Sequence, residues 1–331
     1  MGWTRMKYWP WIMLSWVAIA TTFSLSACTS PPNATAQSTT QSITASDLAT
    51  DSTLSAEPTL SYEGTPPAWA ETATDVMQQL EEWRGLRFKA DLQVTFEPQS
   101  DPNLNGYYNS ETKKLSVTTD GSEALGRGVL LHEIFHALQD QHFDLYNLHV
   151  QSMTEPDYDK AVSAIIEGEA MLAVAELMNY NFLDHARLPE TGEVSEDLFH
   201  NIFLYGSGLQ FIQAIRETGG WAAVDEVFRD PPQATTLILN PERYLAGERT
   251  AQTLEIHLAH NETLEAQSIR GEYQVQWLFE QLAESRSQLP LLADSYLADT
   301  FGIVTTADGT TQHRWIIEFE SPTAAEALAE N

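Results

Sequence analysis

The run VLLHEIFHAL at residues 129–138 has the most informative pattern in the chain. His132 and His136 are four residues apart, so in a helix of about 100° per residue they project only about 40° from each other. Both imidazoles can therefore reach one cation from the same face. A second face repeats apolar residues at helical spacing and is expected to pack in the core: Leu131, Ile134, Phe135 and Leu138. The run predicts a helix that carries a metal site on one face and core on another.

Glu133 adds an acid to the two histidines. It follows His132 directly, so it is placed to take a proton from a water that the cation activates rather than to bind the cation itself. A catalytic zinc centre also needs a third protein ligand and an open position. The sequence offers two residues for that ligand, His142 and Glu167.

His142 lies six residues after His136, which is the metzincin spacing, but Gln139 stands where that pattern has a turn-forming glycine. In a continued helix His142 would project about 240° away from His136, which disfavours it. Glu167 lies on the next predicted helix. Glu169 is about 200° around that helix and cannot face the same cation. We expect Glu169 either to be solvated or to support a ligand.

The run HEIFHALQDQ at 132–141, followed by AIIEGEA at 164–170, resembles the gluzincins, the thermolysin-like and aminopeptidase-like zinc peptidases. It is most similar to an uncharacterised bacterial lipoprotein branch of them. This resemblance implies a zincin-like domain, one Zn²⁺, Glu167 as its third ligand and hydrolysis of peptide bonds. The run LYGSGLQF at 204–211 is similar to the Tyr-x-x-Gly helix of aminopeptidase-type members. That similarity implies that the Tyr205 hydroxyl stabilises the oxyanion of the reaction.

Asp140 and six further histidines are not predicted to bind the metal. Asp140 lies four residues after His136 and could orient a ligand imidazole or serve as a plain surface acid. Six further histidines are isolated in the sequence and are predicted to have no metal role: His149, His185, His200, His257, His260 and His313.

Residues 1–27 have the pattern of a secretory signal, with Arg5 and Lys7 ahead of an apolar run that ends in Leu-Ser-Ala before Cys28. This resembles the lipobox of bacterial lipoproteins, which implies that Cys28 is diacylated and anchors the chain in a membrane. Thr29 follows, and it provides no aspartate retention signal. The predicted location is the bacterial cell envelope, on the periplasmic or extracellular face, with the outer membrane favoured.

Residues 28–61 are rich in Ser, Thr, Ala and Pro, so a disordered tether is predicted there. Without the first 27 residues the chain has 15 basic against 47 acidic residues, a formal charge of about −32. That charge excludes nucleic acid as an expected partner, because phosphate binding needs a basic surface. It also disfavours electrostatic attachment to anionic lipid, which leaves the acyl groups on Cys28 as the membrane attachment.

Residues 62–331 predict one α+β domain, mostly helical, with a small antiparallel sheet before the HExxH helix. Up to about residue 121 the domain is expected to be β-rich, with a helix at 68–83, a strand at 92–96 and a hairpin that joins 107–108 to 115–117. Further helices are predicted at 122–141, 158–182, 198–217, 221–229 and 271–287, and a C-terminal hairpin at 301–319. The stretch 233–270 gives no clear prediction.

The leading functional prediction is a membrane-anchored extracytoplasmic zinc metallopeptidase with a peptide or protein substrate. A second is an envelope lipoprotein for assembly or binding that holds zinc but hydrolyses little. A third is a structural lipoprotein with a chance motif. Zinc content separates the third from the others, and cleavage by the wild type against Glu133→Gln separates the first two.

Overall fold

The computed structural model covers most of the chain after residue 56 and one short piece before it. The described residues are 11–15, 57–73, 75–98, 104–119, 122–189, 193–282 and 295–329. Cys28, its predicted lipidation and most of the predicted signal and tether lie outside these residues. Within the described ranges, no helix is both long and apolar enough to cross a membrane.

The described residues form an α+β structure that is about 52% helical with small sheets, so the predicted class and the dominance of helices are confirmed. The α-helices are α1 (Val76–Arg84), α2 (Glu123–Phe143), α3 (Leu145–Ser152), α4 (Pro156–Leu177), α5 (Glu196–Asn201), α6 (Gly208–Arg229), α7 (Thr235–Leu239), α8 (Pro241–Leu245), α9 (Gly271–Leu282) and α10 (Pro322–Ala329). Short 3₁₀ segments lie at Ala68–Ala73 and Phe182–Asp184, and a π-helical turn at Ile202–Ser207. The strands are β1 (Trp11–Ser15), β2 (Leu60–Glu63), β3 (Leu92–Glu97), β4 (Leu104–Asn109), β5 (Lys114–Thr118), β6 (Thr263–Ser268), β7 (Tyr296–Thr305) and β8 (Thr311–Phe319).

The first sheet is mixed, so the prediction of a purely antiparallel sheet is wrong. Its strand order is β1-β4-β5-β3-β2. β3 is parallel to both β2 and β5, whereas β4 is antiparallel to β5 and β1. The parallel pairs follow from the connections. α1 crosses over between β2 and β3, and the chain reverses once between β3 and β4 and once more in the β4–β5 hairpin, so that β5 runs in the direction of β3. The strand predicted at 92–96 is present as β3, and the hairpin predicted after it is formed by β4 and β5.

Both outer strands of this sheet begin before residue 62, the predicted start of the domain. β2 begins at Leu60, within the stretch predicted as a tether, and its half-buried Leu60 and Tyr62 pack against the core beneath the sheet. β1 belongs to the segment predicted as a signal peptide, and its backbone pairs with the outer edge of β4.

α2 packs against this sheet through the predicted apolar stripe. Ser122 caps the start of α2 by accepting a hydrogen bond from the Leu125 amide, and Asp144 ends it in a left-handed conformation with φ of 54°. The stripe is fully buried together with side chains from β3, β4 and β5. Since each buried Leu, Ile or Phe contributes about 1.5–3 kcal/mol, this contact fixes how α2 is rotated and hence where its histidines point.

The helical half is organised by a close crossing of α4 and α6. A Cβ built on Gly168 of α4 would lie 2.1 Å from the carbonyl carbon of Gly208 on α6, so the two backbones touch. The helix predicted at 198–217 consists of α5, the π-helical turn and the first part of α6. The predicted separation of the helices at 198–217 and 221–229 is confirmed, because Gly220 has φ 65° and interrupts α6.

The C-terminal part forms a second, antiparallel sheet of β6, β7 and β8. Its β7–β8 pair confirms the predicted hairpin, which begins earlier than expected, at Tyr296. Gly309 in the turn has φ 82°, which explains the glycine in this position.

Candidate metal centre

Three buried side chains from α2 and α4 meet at one point. Glu167 Oε2 lies 3.0 Å from His132 Nε2 and 3.4 Å from His136 Nε2. The two Nε2 atoms are 2.8 Å apart. Ligands that surround one zinc ion tetrahedrally at about 2.0–2.1 Å are separated by roughly 3.3 Å, so these three atoms are spaced as ligands of one ion would be. In the described part of the chain, this is the one group of three or more such side chains close enough to hold a metal.

The crossing of α4 and α6 brings Glu167 to the two histidines. Gly168 follows Glu167 directly and touches the backbone of Gly208. Glu167 is therefore held next to a close backbone contact between α4 and α6, while its carboxylate lies against the two histidines of α2. A larger residue at 168 would separate the helices and move Glu167 with its own helix.

The protonation states of the cluster suit a metal. Burial works to raise the pKa of Glu167, but His136 and His132 outweigh it and lower this pKa to about 2. Burial, followed by the influence of His136, lowers the pKa of His132 to about 4. At neutral pH, Glu167 is a carboxylate and His132 a neutral imidazole, which are the forms that bind zinc. A buried set of two nitrogen donors and one oxygen donor fits that ion.

Glu133 lies beside the cluster and is fully buried. Neither of its carboxyl oxygens makes a hydrogen bond of ordinary geometry. Burial raises the pKa of Glu133 well above its usual range, the charge of Glu167 adds to this, and the nearby backbone amide of Tyr108 opposes it. β4 covers the residue, because a Cβ on Gly106 would lie 3.1 Å from Glu133 Cγ. A buried acid without a structural partner is costly, which marks Glu133 as a candidate functional group.

Tyr205 reaches the same place from the π-helical turn before α6. Its ring centroid lies 6.1 Å from that of His132, and its side chain is buried. Burial raises the pKa of Tyr205 well above its usual range, and the charges of Glu167 and Glu133 raise it further. The hydroxyl therefore keeps its proton and can act as a donor. A π-helical turn often marks a functional site in a helix.

A buried chain of polar contacts supports His136, and sequence reasoning missed it. His136 Nδ1 lies 2.8 Å from Gln139 Oε1. Gln139 Nε2 donates to Glu169 Oε2 at 2.8 Å and to the Ile166 carbonyl at 3.1 Å. Glu169 in turn pairs with Arg84 at 2.5 Å, and both side chains are almost completely buried. Glu169 is therefore not solvated, and it holds Gln139 against His136, a predicted ligand.

Asp140 and His142 lie elsewhere. Asp140 accepts hydrogen bonds from the Tyr108 hydroxyl at 2.6 Å and the Leu145 amide at 3.0 Å, and it pairs with Lys113 at 2.6 Å. It ties β4 and the start of α3 to α2, so the suggestion that it orients a ligand imidazole is wrong. His142 Nε2 contacts the Arg87 carbonyl at 2.7 Å and is not part of the metal cluster.

Two of the histidines predicted to have no metal role lie within electrostatic range of Glu167. The negative charge of Glu167 acts on both His149 and His200. Burial lowers the pKa of His200 to about 4, and Lys160 lowers it further while Glu167 opposes. Its Nδ1 lies 3.2 Å from the Tyr273 hydroxyl. No spacing signal in the sequence connects these residues to α2, because α3 and α5 bring them there through tertiary packing.

Comparison with models of known protein families found no match to this chain, and comparison with curated proteins and with solved structures found none either.

Proposed function

We propose that this chain is a zinc-dependent metallopeptidase with a zincin-like domain, in which His132, His136 and Glu167 hold the ion. The observation that carries the proposal is Glu133, a completely buried carboxyl group that makes no hydrogen bond of ordinary geometry and follows His132 of the buried His/His/Glu cluster. A purely structural metal site has no need of such an acid, whereas hydrolysis needs a base next to the ion.

The side chains divide the work as follows. When bound, Zn²⁺ would supply Lewis-acid chemistry, by making water a stronger acid and by polarising a carbonyl group. Glu133 accepts the proton of the attacking water and then delivers it to the departing amine. A raised pKa suits both steps, because the group must take a proton and also release it near neutral pH. Tyr205, protonated at working pH, donates a hydrogen bond to the developing oxyanion.

The substrate class follows from the strand that covers Glu133. β1 belongs to the predicted signal peptide, and its removal would leave β4 as the edge strand of the sheet. In the structure the outer edge of β4 pairs with the extended backbone of β1, so this edge can accept a strand. A peptide added to this edge in the same antiparallel sense would run past Gly106, which lies against Glu133. An extended peptide or protein segment is therefore the proposed substrate.

Anchoring is a separate part of the proposal. The lipobox-like run before Cys28 would make this residue the diacylated N-terminus of an envelope lipoprotein. Metabolic labelling with a clickable fatty acid should mark the wild type and leave Cys28→Ala unlabelled and released from membranes. Equal labelling of the two would remove the anchoring proposal and leave the metal site untouched.

The catalytic proposal is tested on the purified chain with a peptide library and metal analysis. The wild type should hold about one zinc ion and cleave peptides, and Glu133→Gln should keep the zinc and lose cleavage. Glu123→Gln is the matched control, because Glu123 is exposed in the first turn of the same helix. His132→Ala should lose the zinc, whereas His142→Ala, on the same helix outside the cluster, should keep it.

The outcomes separate the alternatives. Zinc binding without cleavage beyond that of Glu133→Gln would support an envelope assembly or binding lipoprotein instead of a peptidase. Absence of stoichiometric zinc from the wild type would leave the motif as chance and end both proposals.

A further inference from the structure

We propose that Gln139 is a positioning residue that sets the tautomer and orientation of His136, and that the buried Arg84–Glu169 pair holds Gln139 in place. This inference rests on the proposed metal site, since it concerns one of the ligands. The two ligand histidines are supported differently, which gives the inference its first observation. His136 Nδ1 contacts Gln139 at 2.8 Å, whereas His132 Nδ1 is buried without a partner among the described residues.

The hydrogen-bond partners of Gln139 leave its amide only one orientation. One end of the amide lies near two groups that only accept, the Ile166 carbonyl at 3.1 Å and the Glu169 carboxylate at 2.8 Å. That end must be the NH₂ group, because an oxygen there would face two other oxygens. The Gln139 carbonyl oxygen therefore has to face His136.

This orientation determines which nitrogen of His136 has the proton. An amide oxygen can only accept, so Nδ1 of His136 must donate to it. A neutral imidazole carries one proton, which leaves the lone pair on Nε2. Nε2 is the atom 3.4 Å from Glu167 and 2.8 Å from His132 Nε2. Gln139 thus presents the lone pair of His136 to the place where the ion is proposed to bind.

The end of this hydrogen-bond network that lies away from His136 is held by a buried cation. Arg84, the last residue of α1, donates through Nε to Glu169 and through a terminal nitrogen to Asp225, both at 2.5 Å. Its guanidinium also lies 4.5 Å from the ring centroid of Trp221. A planar fork held on two acids and an aromatic face has little freedom to move. Glu169 cannot turn away from Gln139 without giving up its buried ion pair with Arg84.

The test compares Gln139→Met with Gln141→Met in the full chain. Methionine has nearly the shape of glutamine but accepts no comparable hydrogen bond. Gln141 is the matched control, because its side chain also joins α2 to another segment, by accepting from the Lys89 amide at 2.6 Å, without contact with the cluster. Zinc affinity is measured by competition with a chromophoric chelator at fixed pH, and urea unfolding is measured on the zinc-free proteins.

Gln139→Met should bind zinc roughly 10- to 100-fold more weakly than the wild type, and Gln141→Met about as tightly as the wild type. A merely structural role for Gln139 would lower the urea midpoint and leave zinc affinity unchanged, which would overturn the proposal. The second measurement needs no variant: long-range ¹H–¹⁵N spectra of the zinc-free wild type should show His136 protonated at Nδ1. Protonation at Nε2 would equally overturn it.

The two measurements also distinguish this inference from the proposed function. If the wild type holds no zinc, the metallopeptidase proposal fails, while the tautomer of His136 still decides the role of Gln139. If the wild type holds zinc and Gln139→Met holds it as tightly, the metal site stands and the positioning role is refuted.

Discussion

Gly168→Ala is the substitution that most directly tests how the fold builds the metal centre. The added Cβ would lie 2.1 Å from the carbonyl carbon of Gly208, 2.4 Å from its oxygen and 2.6 Å from the Leu209 nitrogen. All three are backbone atoms, so no side chain can rotate away. Because carbon atoms in contact are about 3.5 Å or more apart, α4 and α6 would have to separate by more than about 1 Å.

Two opposing contributions set the expected change in the free energy of unfolding. Replacing a glycine inside a helix with alanine stabilises the helix by up to about 1 kcal/mol. Overpacking a well-packed contact costs about 1–3 kcal/mol, occasionally more, and this site is at the upper end because backbone must move. The free energy of unfolding of Gly168→Ala should therefore fall by about 2–3 kcal/mol relative to the wild type. Since Glu167 moves with α4, zinc affinity should fall as well.

Gly128→Ala is the matched control for the assay. Gly128 is also inside a helix, but its Cβ would first meet the sulfur of Met178 at 3.3 Å, at the flexible end of a side chain. This variant should be as stable as the wild type or more stable by up to about 1 kcal/mol. For both variants, the free energy of unfolding is measured in urea without zinc. Zinc affinity is measured separately, by titration of the folded proteins. Equal stability of the two variants would refute the argument that the Gly168–Gly208 crossing sets the position of Glu167.

Three further predictions concern the site and its surroundings. Tyr205→Phe should lower the rate of hydrolysis by about 100-fold or more, with zinc affinity nearly unchanged, since the lost hydroxyl acts only on the oxyanion; an unchanged rate would remove Tyr205 from the mechanism. Zinc should raise the melting temperature of the wild type in proportion to the logarithm of its concentration, and His132→Ala should show no such rise. Burial raises the pKa of Asp157 to about 7, and Asp299 and Glu272 add to the effect. The folded state thus binds a proton that the unfolded state releases near pH 4, so stability should decline by up to about 4 kcal/mol as pH rises from 4 to 7 and level off above. Asp157→Asn should flatten this decline in urea unfolding measured across that range, and an identical pH profile would contradict the assignment.

The parts of the fold that were predictable are those in which local pattern and tertiary packing agree. The helical spacing at 129–138 predicts α2 because its apolar stripe is also the face buried against the sheet. The C-terminal hairpin was predictable from alternation and from the turn at Gly309. The parallel pairing of β3 with β5 was not, because it depends on the path of the connections, and single strands have no signal for their direction.

The residues of the candidate site also fall into those that local pattern predicts and those that it does not. His132, Glu133 and His136 lie within one helix, where spacing alone fixes their directions. Placing Glu167 required a resemblance, because its meeting with α2 depends on the crossing at Gly168. The role of Gln139 was hidden for a further reason, since its partner Glu169 and the Arg84 that pairs with Glu169 come from two other helices. Such contacts between distant segments leave no periodicity in the sequence.

The charge of the proposed metal ion also affects the protonation state of Glu133. Glu167 is a buried carboxylate, and an unpaired buried charge is expensive. Arg84, the buried cation nearest in the network, is already paired with Glu169 and Asp225. A divalent cation on the His/His/Glu cluster would compensate Glu167 and would at the same time favour the ionised form of Glu133, whose pKa is raised by burial and by the charge of Glu167. The ion that makes water acidic would thus also prepare the neighbouring acid to accept its proton, so metal binding and the competence of the base are expected to rise together.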